Sequence, residues 1–292
     1  MKIIDGKAVA ESIKSEIAQK VAQRIKQGKK KPHLAAVLVG NDGASETYVK
    51  SKVKNCEKVG FDSTLLHFEE SISEEELLKE IKKLNNNSAI NGFIVQLPLP
   101  KHIDEQKIIQ AILPEKDVDG FHPVNVGKMV LEIPSLLPAT PYGITLLLKH
   151  YNIPTEGKNC VVIGRSHIVG TPMSILMSRN TYPGNATVTL AHSRTKNLKE
   201  ICRQADILIA AVGKAKLITE DMIKDGAVVI DVGIHRIKDD SKKSGYRLVG
   251  DVDFENVAQK CSYITPVPGG VGPMTITALL QNTLTACEMQ EK

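Results

Sequence analysis

The hydrophobic positions follow two different spacings in turn, and this alternation predicts an α/β protein. Apolar residues four apart, from Val9 to Ile25, predict an amphipathic helix after Asp5. The continuous apolar run 34–39 predicts a buried strand, closed by a glycine-containing turn. Strands alternating with helices form parallel sheets. The further elements predicted in this half are strands at 63–68 and 92–97 and helices at 45–59, 73–84 and 104–113, with Ser45 as an N-cap.

A second series of strands and helices follows a proline-rich stretch. Prolines 123, 134, 138 and 141 fall within residues 117–141, which we predict to be loop-rich and to contain a hinge. The strands predicted beyond it are 160–163, 187–191, 207–212, 228–232 and 263–265, and the polar stretch 236–247 is predicted to be a surface loop.

These patterns predict an α/β protein of two domains. The first is an N-terminal α/β domain over residues 1–120, and the C-terminal helix 274–292 is expected to pack back on it. The second is a Rossmann-like dinucleotide-binding domain with a mostly parallel sheet, over residues 121–273.

Composition narrows the classes of function. The chain has 292 residues, no tryptophan and 4% aromatic residues, which argues against a stacking platform for nucleic acid. No apolar run approaches the length of a membrane span. The net charge of +5 suits a small acidic ligand. Five cysteines without a C-x-x-C pair and no apparent signal segment predict free thiols in the cytoplasm.

A phosphate-binding turn is predicted where the strand 160–163 ends. Gly164 follows the strand directly, and Pro172 suits the first turn of a helix. The spacing departs from G-x-G-x-x-G, because Ser166 stands at the second glycine and Gly170 arrives one residue late. Such a turn aims backbone N–H groups at a pyrophosphate. An ordinary strand-to-helix turn is the alternative, and the strands that follow favour the dinucleotide site.

The end of the next strand indicates which dinucleotide binds. NAD sites usually carry an acidic residue there for the ribose 2′-hydroxyl. Here Ser193 and Arg194 follow the strand without a carboxylate, and Arg165 lies in the phosphate turn. Cations and hydroxyls suit a 2′-phosphate, so NADP is favoured over NAD. The alternative is that Arg194 caps a helix or faces water.

Polar residues of the first domain are candidates for chemistry. Tyr48 and Lys52 stand four apart on one predicted helix face, and a desolvated lysine can act as a base near neutral pH. Gln96 interrupts an apolar strand, where a buried amide needs partners such as Lys52 or a ligand. A solvated helix face and an amide bonded to backbone are the alternatives.

Two acidic residues, Asp117 and Asp119, surround a turn that ends in Gly120. Two carboxylates could bind a metal, but no third ligand stands at a suitable spacing. We therefore predict no metal site and a turn that presents a carboxylate to a ligand.

A segment dense in proline and glycine, Thr265 to Thr275, joins the last predicted strand to the last helix. Proline stiffens the backbone and glycine lets it approach a ligand closely. An ordinary loop is the alternative, and the density of both residues favours a flat ligand pressed against the backbone.

Together these residues resemble one family, the bifunctional methylenetetrahydrofolate dehydrogenase/methenyltetrahydrofolate cyclohydrolases. Ala139 departs from the family, whose members often carry cysteine there. The matching segments run in order along nearly the whole chain: Tyr48-x-x-x-Lys52, Gln96-Leu97-Pro98-Leu99-Pro100, Asp117-Val118-Asp119-Gly120-Phe121, Thr140-Pro141, Gly164-Arg165-Ser166-x-x-Val169-Gly170-x-Pro172, Asp231-Val232-Gly233-Ile234 and Pro268-Gly269-Gly270-Val271-Gly272-Pro273-Met274-Thr275.

The resemblance implies two reactions of one-carbon metabolism. NADP⁺ takes a hydride from 5,10-methylenetetrahydrofolate, and water then opens the resulting methenyl bridge to give 10-formyltetrahydrofolate. The first domain would bind folate, and the enzyme would be a homodimer that pairs through the cofactor domain. No metal is implied, because the methenyl carbon is already electrophilic.

Roles for individual residues follow from the same resemblance. Lys52 would be the central acid/base, Gln96 would position and tune it, and Tyr48 and Asp119 would complete the catalytic set by contacting the folate. The residues implied at the folate are Tyr48, Gln96, Pro98, Leu99, Asp119, Gly272, Pro273 and Thr275. Those implied at NADP are Gly164, Arg165, Ser166, Ser193, Arg194 and Ile234.

Three alternative functions differ from this expectation. A dehydrogenase without the cyclohydrolase step would not need Tyr48, Lys52 and Gln96 together. An oxidoreductase of the amino-acid or shikimate dehydrogenase type shares the two-domain plan but not the Asp119 turn. A non-catalytic dinucleotide-binding sensor would bind folate without turnover.

Overall fold

A computed structural model describes residues 1–41, 43–242 and 245–291. Lys292 of the predicted last helix and residues 243–244 of the predicted loop 236–247 lie outside the described residues. The helices are α1 Gly6–Lys26, α2 Gly43–Val59, α3 Glu74–Asn86, α4 Glu105–Ala111, α5 Pro123–Val130, α6 Ala139–His150, α7 Gly170–Ser178, α8 Leu198–Arg203, α9 Phe254–Val257 and α10 Val271–Met289. The strands are β1 Lys2–Ile3, β2 His33–Val39, β3 Asp62–Phe68, β4 Gly92–Val95, β5 Asn159–Ile163, β6 Thr187–Ala191, β7 Ile207–Ala210, β8 Val228–Asp231, β9 His235–Lys238, β10 Tyr246–Val249 and β11 Tyr263–Ile264.

The chain forms two compact units, each built from two stretches of the chain. The six-stranded unit comprises Met1–Ala10 and Thr140–Thr275, and the three-stranded unit comprises Glu11–Ala139 and Ile276–Lys292. The N-terminus joins the six-stranded unit because β1 pairs with β11, Lys2 opposite Tyr263. A two-residue strand is too short for a hydrophobic period to predict.

The six-stranded unit contains one parallel sheet in the order β1-β11-β8-β7-β5-β6. Its central strands are apolar on both faces, as expected for a sheet covered on both sides. The order reverses direction between β5 and β7, the kind of switch point at which open α/β sheets bind ligands. This sheet confirms the predicted fold class.

An antiparallel hairpin of β9 and β10 stands where a surface loop was predicted. In each strand polar residues alternate with apolar ones only weakly, so the period-2 signal was missed. Arg236 stacks over Tyr246 across the hairpin, with its guanidinium carbon 5.0 Å from the ring centroid.

The three-stranded unit contains a parallel sheet in the order β3-β2-β4. One face of β2 packs in a buried cluster with Ile17 and Val21 of α1 and with Leu280 and Leu284 of α10. The second half of α10 is therefore a core element of this unit. The other face of the sheet packs on α3 and α4 through Leu77, Ile81 and Ile108.

Two local predictions differ from the structure. The proline-rich stretch contains α5, because Pro123 occupies its first turn and the His122 ring accepts a bond from Val124 N–H. Ser45 is not an N-cap, since α2 already begins at Gly43 and Ser45 lies buried within it.

Of the helices in the described ranges 1–41, 43–242 and 245–291, none has the length and apolar character needed to span a bilayer.

Candidate active site

A buried lysine and a half-buried glutamine form a pair in the three-stranded unit. Lys52 projects from α2 and is only 4% exposed, which excludes the alternative of a solvated helix face. Gln96 follows β4 directly, and its backbone N–H continues the ladder to Val37. Its side-chain Oε1 accepts from Lys52 Nζ at 3.2 Å, while its Nε2 donates to Leu97 O at 2.7 Å. The second bond fixes the amide with its oxygen toward Lys52.

Tyr48 covers the same amine from one turn earlier on α2. The Lys52 Nζ lies 4.5 Å from the centroid of the Tyr48 ring. This is within the range of a cation–π contact, which stabilises the protonated form of the amine. The spacing of four residues that singled out the two side chains thus brings them into contact.

Burial and neighbouring charge set the protonation of this cluster. Burial lowers the pKa of Lys52, and the nearby Asp119 carboxylate partly offsets that effect. Burial also raises the pKa of Asp119 from 3.8 to about 6, against the opposing charge of Lys52. Both shifts move the pKa of the group toward neutral pH. A group that exchanges protons with a substrate works best when its pKa lies near the working pH.

The turn that carries Asp119 is held by a second carboxylate. Asp117 is 2% exposed and accepts bonds from Gly120 N at 3.1 Å, His122 N at 2.8 Å and Asn125 Nδ2 at 3.0 Å. Asp117 therefore has a structural role in holding this turn. Within the described part of the chain, no three His, Cys, Asp or Glu side chains are grouped as a metal site would require.

Asn282 of α10 also supports this turn. Its side-chain Nδ2 donates to Val118 O at 2.9 Å and to Leu137 O at 2.7 Å. Gly120 has φ +74°, and a Cβ there would lie 2.4 Å from the Leu137 carbonyl carbon. Sequence reasoning missed Asn125 and Asn282, because nothing local to an asparagine tells which distant carbonyl it will meet.

Pro98 and Leu99 line a separate cavity of about 390 Å³ in the three-stranded unit. It opens at the carboxyl end of β2, where ligands commonly bind to parallel sheets. Lys52, Gln96 and Asp119 are not among the residues that line it. The full lining is Val39, Gly40, Asn41, Glu70, Pro98, Leu99 and Pro100.

A cavity of about 450 Å³ lies at the carboxyl edge of the six-stranded sheet. It is bounded by the turn after β5, the loop after β6 and the loop after β7. Its lining contains the predicted cofactor residues Gly164, Arg165, Ser166 and Ser193, together with Ile163, His192, Thr195, Leu198, Ala211, Val212, Lys214 and Leu217. Lys214, in the loop after β7, adds a second cation that sequence reasoning missed.

The turn after β5 needs both of its glycines. Gly164 has φ +116°, and a Cβ there would lie 2.1 Å from Ala211 O. A Cβ on Gly170 would lie 1.9 Å from Gly164 O. Ser166 Oγ accepts from Val169 N at 3.1 Å, which shapes the entry into α7. These contacts keep backbone at the cavity wall, where N–H groups can approach a phosphate.

Arg194 and Ile234 are the predicted cofactor residues that do not line this cavity. Arg194 is exposed beside Ser193. Ile234 is 58% exposed, and its Cδ1 lies 3.5 Å from where a Cβ on Gly272 would stand. The structure thus brings Ile234 close to Gly272, one of the predicted folate residues. Thr275, another of them, lies three residues further along the chain, and its Oγ1 is 3.0 Å from Thr140 Oγ1.

The nucleotide cavity fits an NADP molecule by its own chemistry. Arg165 and Lys214 supply positive charge, and the hydroxyls of Ser193 and Thr195 supply hydrogen bonds. None of the described residues that line it is acidic. The turn, the switch point and these side chains define a two-domain α/β protein with a dinucleotide-binding domain.

Comparison with known proteins identifies the family. The tetrahydrofolate dehydrogenase/cyclohydrolase catalytic domain matches residues 4–119, and the NAD(P)-binding domain of the same family matches residues 138–291. The chain belongs to this family. It is 62% identical over 290 residues to the bifunctional protein FolD of Cytophaga hutchinsonii, covering 99% of this chain and 100% of the relative. The FolD protein of Bacteroides thetaiotaomicron is 59% identical over 286 residues, 98% of each chain.

Solved structures agree with this membership. The FolD methylenetetrahydrofolate dehydrogenase/cyclohydrolase of Campylobacter jejuni is 47% identical, with a TM-score of 0.93 over 99% of each chain. The Trypanosoma brucei dehydrogenase-cyclohydrolase, solved with NADP cofactor and an inhibitor, is 39% identical with a TM-score of 0.93, covering 99% of this chain and 98% of that one.

Proposed function

We propose that this protein oxidises 5,10-methylenetetrahydrofolate with NADP⁺ and hydrolyses the 5,10-methenyl product to 10-formyltetrahydrofolate. The observation that carries the proposal is the buried Lys52 amine, bonded to Gln96 in the unit that matches the family's catalytic domain. A dehydrogenase without the hydrolytic step would have no use for a desolvated amine held in this way.

In the hydrolytic step Lys52 moves protons at the one-carbon bridge. A water molecule adds to the methenyl carbon and loses both of its protons as the formyl C=O forms. The bond from that carbon to N5 breaks as N5 gains one proton, and the other proton is released to solvent. Burial lowers the pKa of Lys52, which makes the amine easier to deprotonate than that of an exposed lysine and suits it to move protons. Gln96 holds the amine in place, and Tyr48 lies over it.

Asp119 binds the folate through its pterin ring. A carboxylate accepts two parallel bonds from neighbouring N–H groups, which matches the amino and ring N–H of a pterin. Asp117 accepts the hydrogen bonds that hold the turn, so we assign the folate contact to Asp119. Pro98, Leu99, Gly272, Pro273 and Thr275 are the further folate contacts that we propose.

NADP supplies the hydride acceptor when it is bound. Gly164 and Ser166 would hold its pyrophosphate through backbone N–H groups, and Arg165 with Ser193 would hold the 2′-phosphate. Ile234 is proposed at the nicotinamide end. Arg194 is the weaker candidate, because it stands outside the cavity lining.

The protein is further proposed to act as a cytoplasmic homodimer that pairs through the cofactor domain. The five cysteines are free and buried, which suits a reducing compartment. Strand β6 stands at an edge of the six-stranded sheet, with Leu190 36% exposed on it. An edge of this kind can be covered by a second copy, and light scattering on the purified protein tests for the dimer.

The test of the activity is a spectrophotometric assay of the purified protein with 5,10-methylenetetrahydrofolate and either NADP⁺ or NAD⁺. The proposal expects reduction of NADP⁺ at a higher kcat/KM than NAD⁺, and 10-formyltetrahydrofolate as the final product. Reduction of neither cofactor would refute the dehydrogenase assignment. If the methenyl product accumulates and hydrolyses only at its spontaneous rate, the protein is a dehydrogenase without cyclohydrolase activity.

A further inference from the structure

A single buried carboxylate gathers four hydrogen-bond donors in the six-stranded unit. Asp251 is fully buried, just after β10. Its Oδ2 accepts from Val212 N at 2.7 Å and Gly213 N at 3.2 Å, and its Oδ1 accepts from Lys214 N at 3.0 Å. The His235 ring nitrogen Nε2 lies 2.7 Å from the same Oδ1. With backbone N–H groups on both oxygens, the carboxylate can only accept, so the His235 ring donates.

The donors come from two segments that bear on the cofactor. Val212 and Lys214 line the 450 Å³ nucleotide cavity, in the loop after β7. His235 begins β9 and directly follows Ile234, the residue that contacts the Gly272 position. Asp251 thus ties a cavity wall to the segment of Ile234, although it is not itself among the lining residues.

A second carboxylate fixes the backbone of the first. Asp231, at the end of β8, accepts from Gly233 N at 3.0 Å, Asp251 N at 2.9 Å and Val252 N at 3.0 Å. Burial raises the pKa of Asp231 to about 6, against these stabilising bonds. Because three backbone N–H groups donate to the buried Asp231 carboxyl, we assign it a structural role.

Two glycines allow the carboxylates to pack this closely. A Cβ on Gly250 would lie 1.8 Å from Asp231 Oδ2, and a Cβ on Gly233 would lie 2.4 Å from Asp251 Oδ1. No side chain fits at either position. The segments Asp231-Val232-Gly233 and Gly250-Asp251 therefore work as one unit, with each glycine giving room to the carboxylate of the other segment.

We propose that Asp251 and His235 are a positioning pair for the dinucleotide, acting through the Val212–Lys214 loop and the Ile234 segment. The pair does not touch the reacting atoms; it holds the wall of the cavity in the shape that accepts NADP. This inference rests on the proposed use of NADP. Asp251 then contributes to cofactor affinity by keeping the Val212–Lys214 loop ordered before binding, and not by touching the cofactor.

Asp251→Asn is the most specific test of the pair. In Asp251→Asn one oxygen becomes an NH₂ group of the same size, and either orientation of the amide turns that group toward a backbone N–H. His235→Phe keeps a ring but removes the donor, whereas His235→Gln keeps a donor. Asp206→Asn is the matched control, because Asp206 accepts from Asn159 N at 3.0 Å and pairs with Lys224 at 2.5 Å just before β7, at the opposite end of that strand.

The readouts separate positioning from general damage. NADP⁺ affinity is measured by titration calorimetry, and hydrolysis of 5,10-methenyltetrahydrofolate is measured without any nucleotide. We expect Asp251→Asn and His235→Phe to weaken NADP⁺ binding about tenfold or more. The first leaves a buried backbone N–H without its acceptor, and the second deprives the buried carboxylate of a donor. The nucleotide-free hydrolysis is expected to stay within about twofold of wild type, because the bonds lost belong to the six-stranded unit, whereas Lys52 and Gln96 belong to the three-stranded unit. His235→Gln restores part of the affinity, and Asp206→Asn leaves it unchanged.

Opposite results would overturn the inference. NADP⁺ affinities within about twofold of wild type in both variants, or an equal loss in Asp206→Asn, would show that the pair does not position the nucleotide. If Asp251→Asn does not fold, His235→Phe and His235→Gln decide the question by themselves. A wild-type protein that fails to bind NADP⁺ would instead refute the proposed function.

Discussion

The amine of Lys52 donates to the Oε1 of Gln96 at 3.2 Å, and the other end of the same amide is fixed by its bond to Leu97 O. Gln96 therefore meets Lys52 with a neutral acceptor whose direction is set by backbone. A neutral partner orients the amine without adding a charge that would keep it protonated. Burial alone is then left to lower the pKa of Lys52, against Asp119.

Gln96→Glu tests the need for a neutral partner. A carboxylate 3.2 Å from the amine favours its protonated form and raises the pKa of Lys52. It also removes the donor to Leu97 O. We expect the cyclohydrolase kcat to fall about 10²- to 10⁴-fold, the usual contribution of a general acid or base, and its pH optimum to move upward. Rates of methenyl hydrolysis across pH measure both.

Gln96→Met is the control for this prediction, because it keeps the length of the side chain and adds no charge. It should lower the rate without the upward displacement of the pH optimum. An unchanged profile in Gln96→Glu would mean that the amide does not tune Lys52.

The pH dependence of folate binding should follow the protonation of Asp119. Its pKa of about 6 means that the accepting carboxylate is lost as the pH falls through about 6. We therefore expect the KM for the folate to rise below that pH, and Asp119→Asn to bind weakly without this dependence. The same shift disfavours folding as the pH rises from 3.8 to about 6, because the unfolded chain releases the proton first. A folate KM independent of pH in wild type would contradict the assignment.

Cofactor choice should depend on Arg165, which lines the nucleotide cavity. Arg165→Ala should raise the KM for NADP⁺ about tenfold to a hundredfold, the effect of losing a charge-assisted bond, and leave the KM for NAD⁺ nearly unchanged. Arg194→Ala should have the smaller effect, since Arg194 lies outside the lining. Steady-state kinetics with both cofactors decide this, and an equal change for NAD⁺ and NADP⁺ would exclude a 2′-phosphate contact.

Stability should depend on Asn282, which is 3% exposed. Asn282→Ala leaves the carbonyls of Val118 and Leu137 without this donor. We expect a loss of about 1–3 kcal/mol of unfolding free energy for buried groups left unsatisfied. Urea denaturation measures it. Thr283→Val on the same helix removes only a bond to the carbonyl of Leu279, four residues back, and should cost less.

Periodicity and local chemistry were enough to predict much of this fold. The apolar runs of β2, β5 and β7 and the glycine after β5 gave the parallel sheets and the nucleotide turn. The same reasoning could not find β1, whose strand character comes from pairing with β11, or the β9–β10 hairpin, whose polar residues carry a weak period. Pairing across long sequence distances leaves no local signal.

The candidate site divides in the same way. Tyr48 and Lys52 were found because helix geometry alone places residues four apart together. Asp251 and Asn282 were missed, because each acts through backbone groups far away in sequence, and His235 was missed because it acts through the Asp251 carboxylate. Their roles depend on which partner the folded chain brings to them, and a residue type cannot indicate that.

The most direct test of the two-step assignment follows both products in one reaction. Wild type and Lys52→Met are given 5,10-methylenetetrahydrofolate and NADP⁺, and the formation of NADPH and of the methenyl compound is recorded over time. Wild type should form NADPH with little methenyl accumulation, and 5,10-methenyltetrahydrofolate supplied directly to Lys52→Met should hydrolyse no faster than in buffer. Hydrolysis by Lys52→Met at the wild-type rate would contradict the role of Lys52 and remove the basis for placing the second activity at this site.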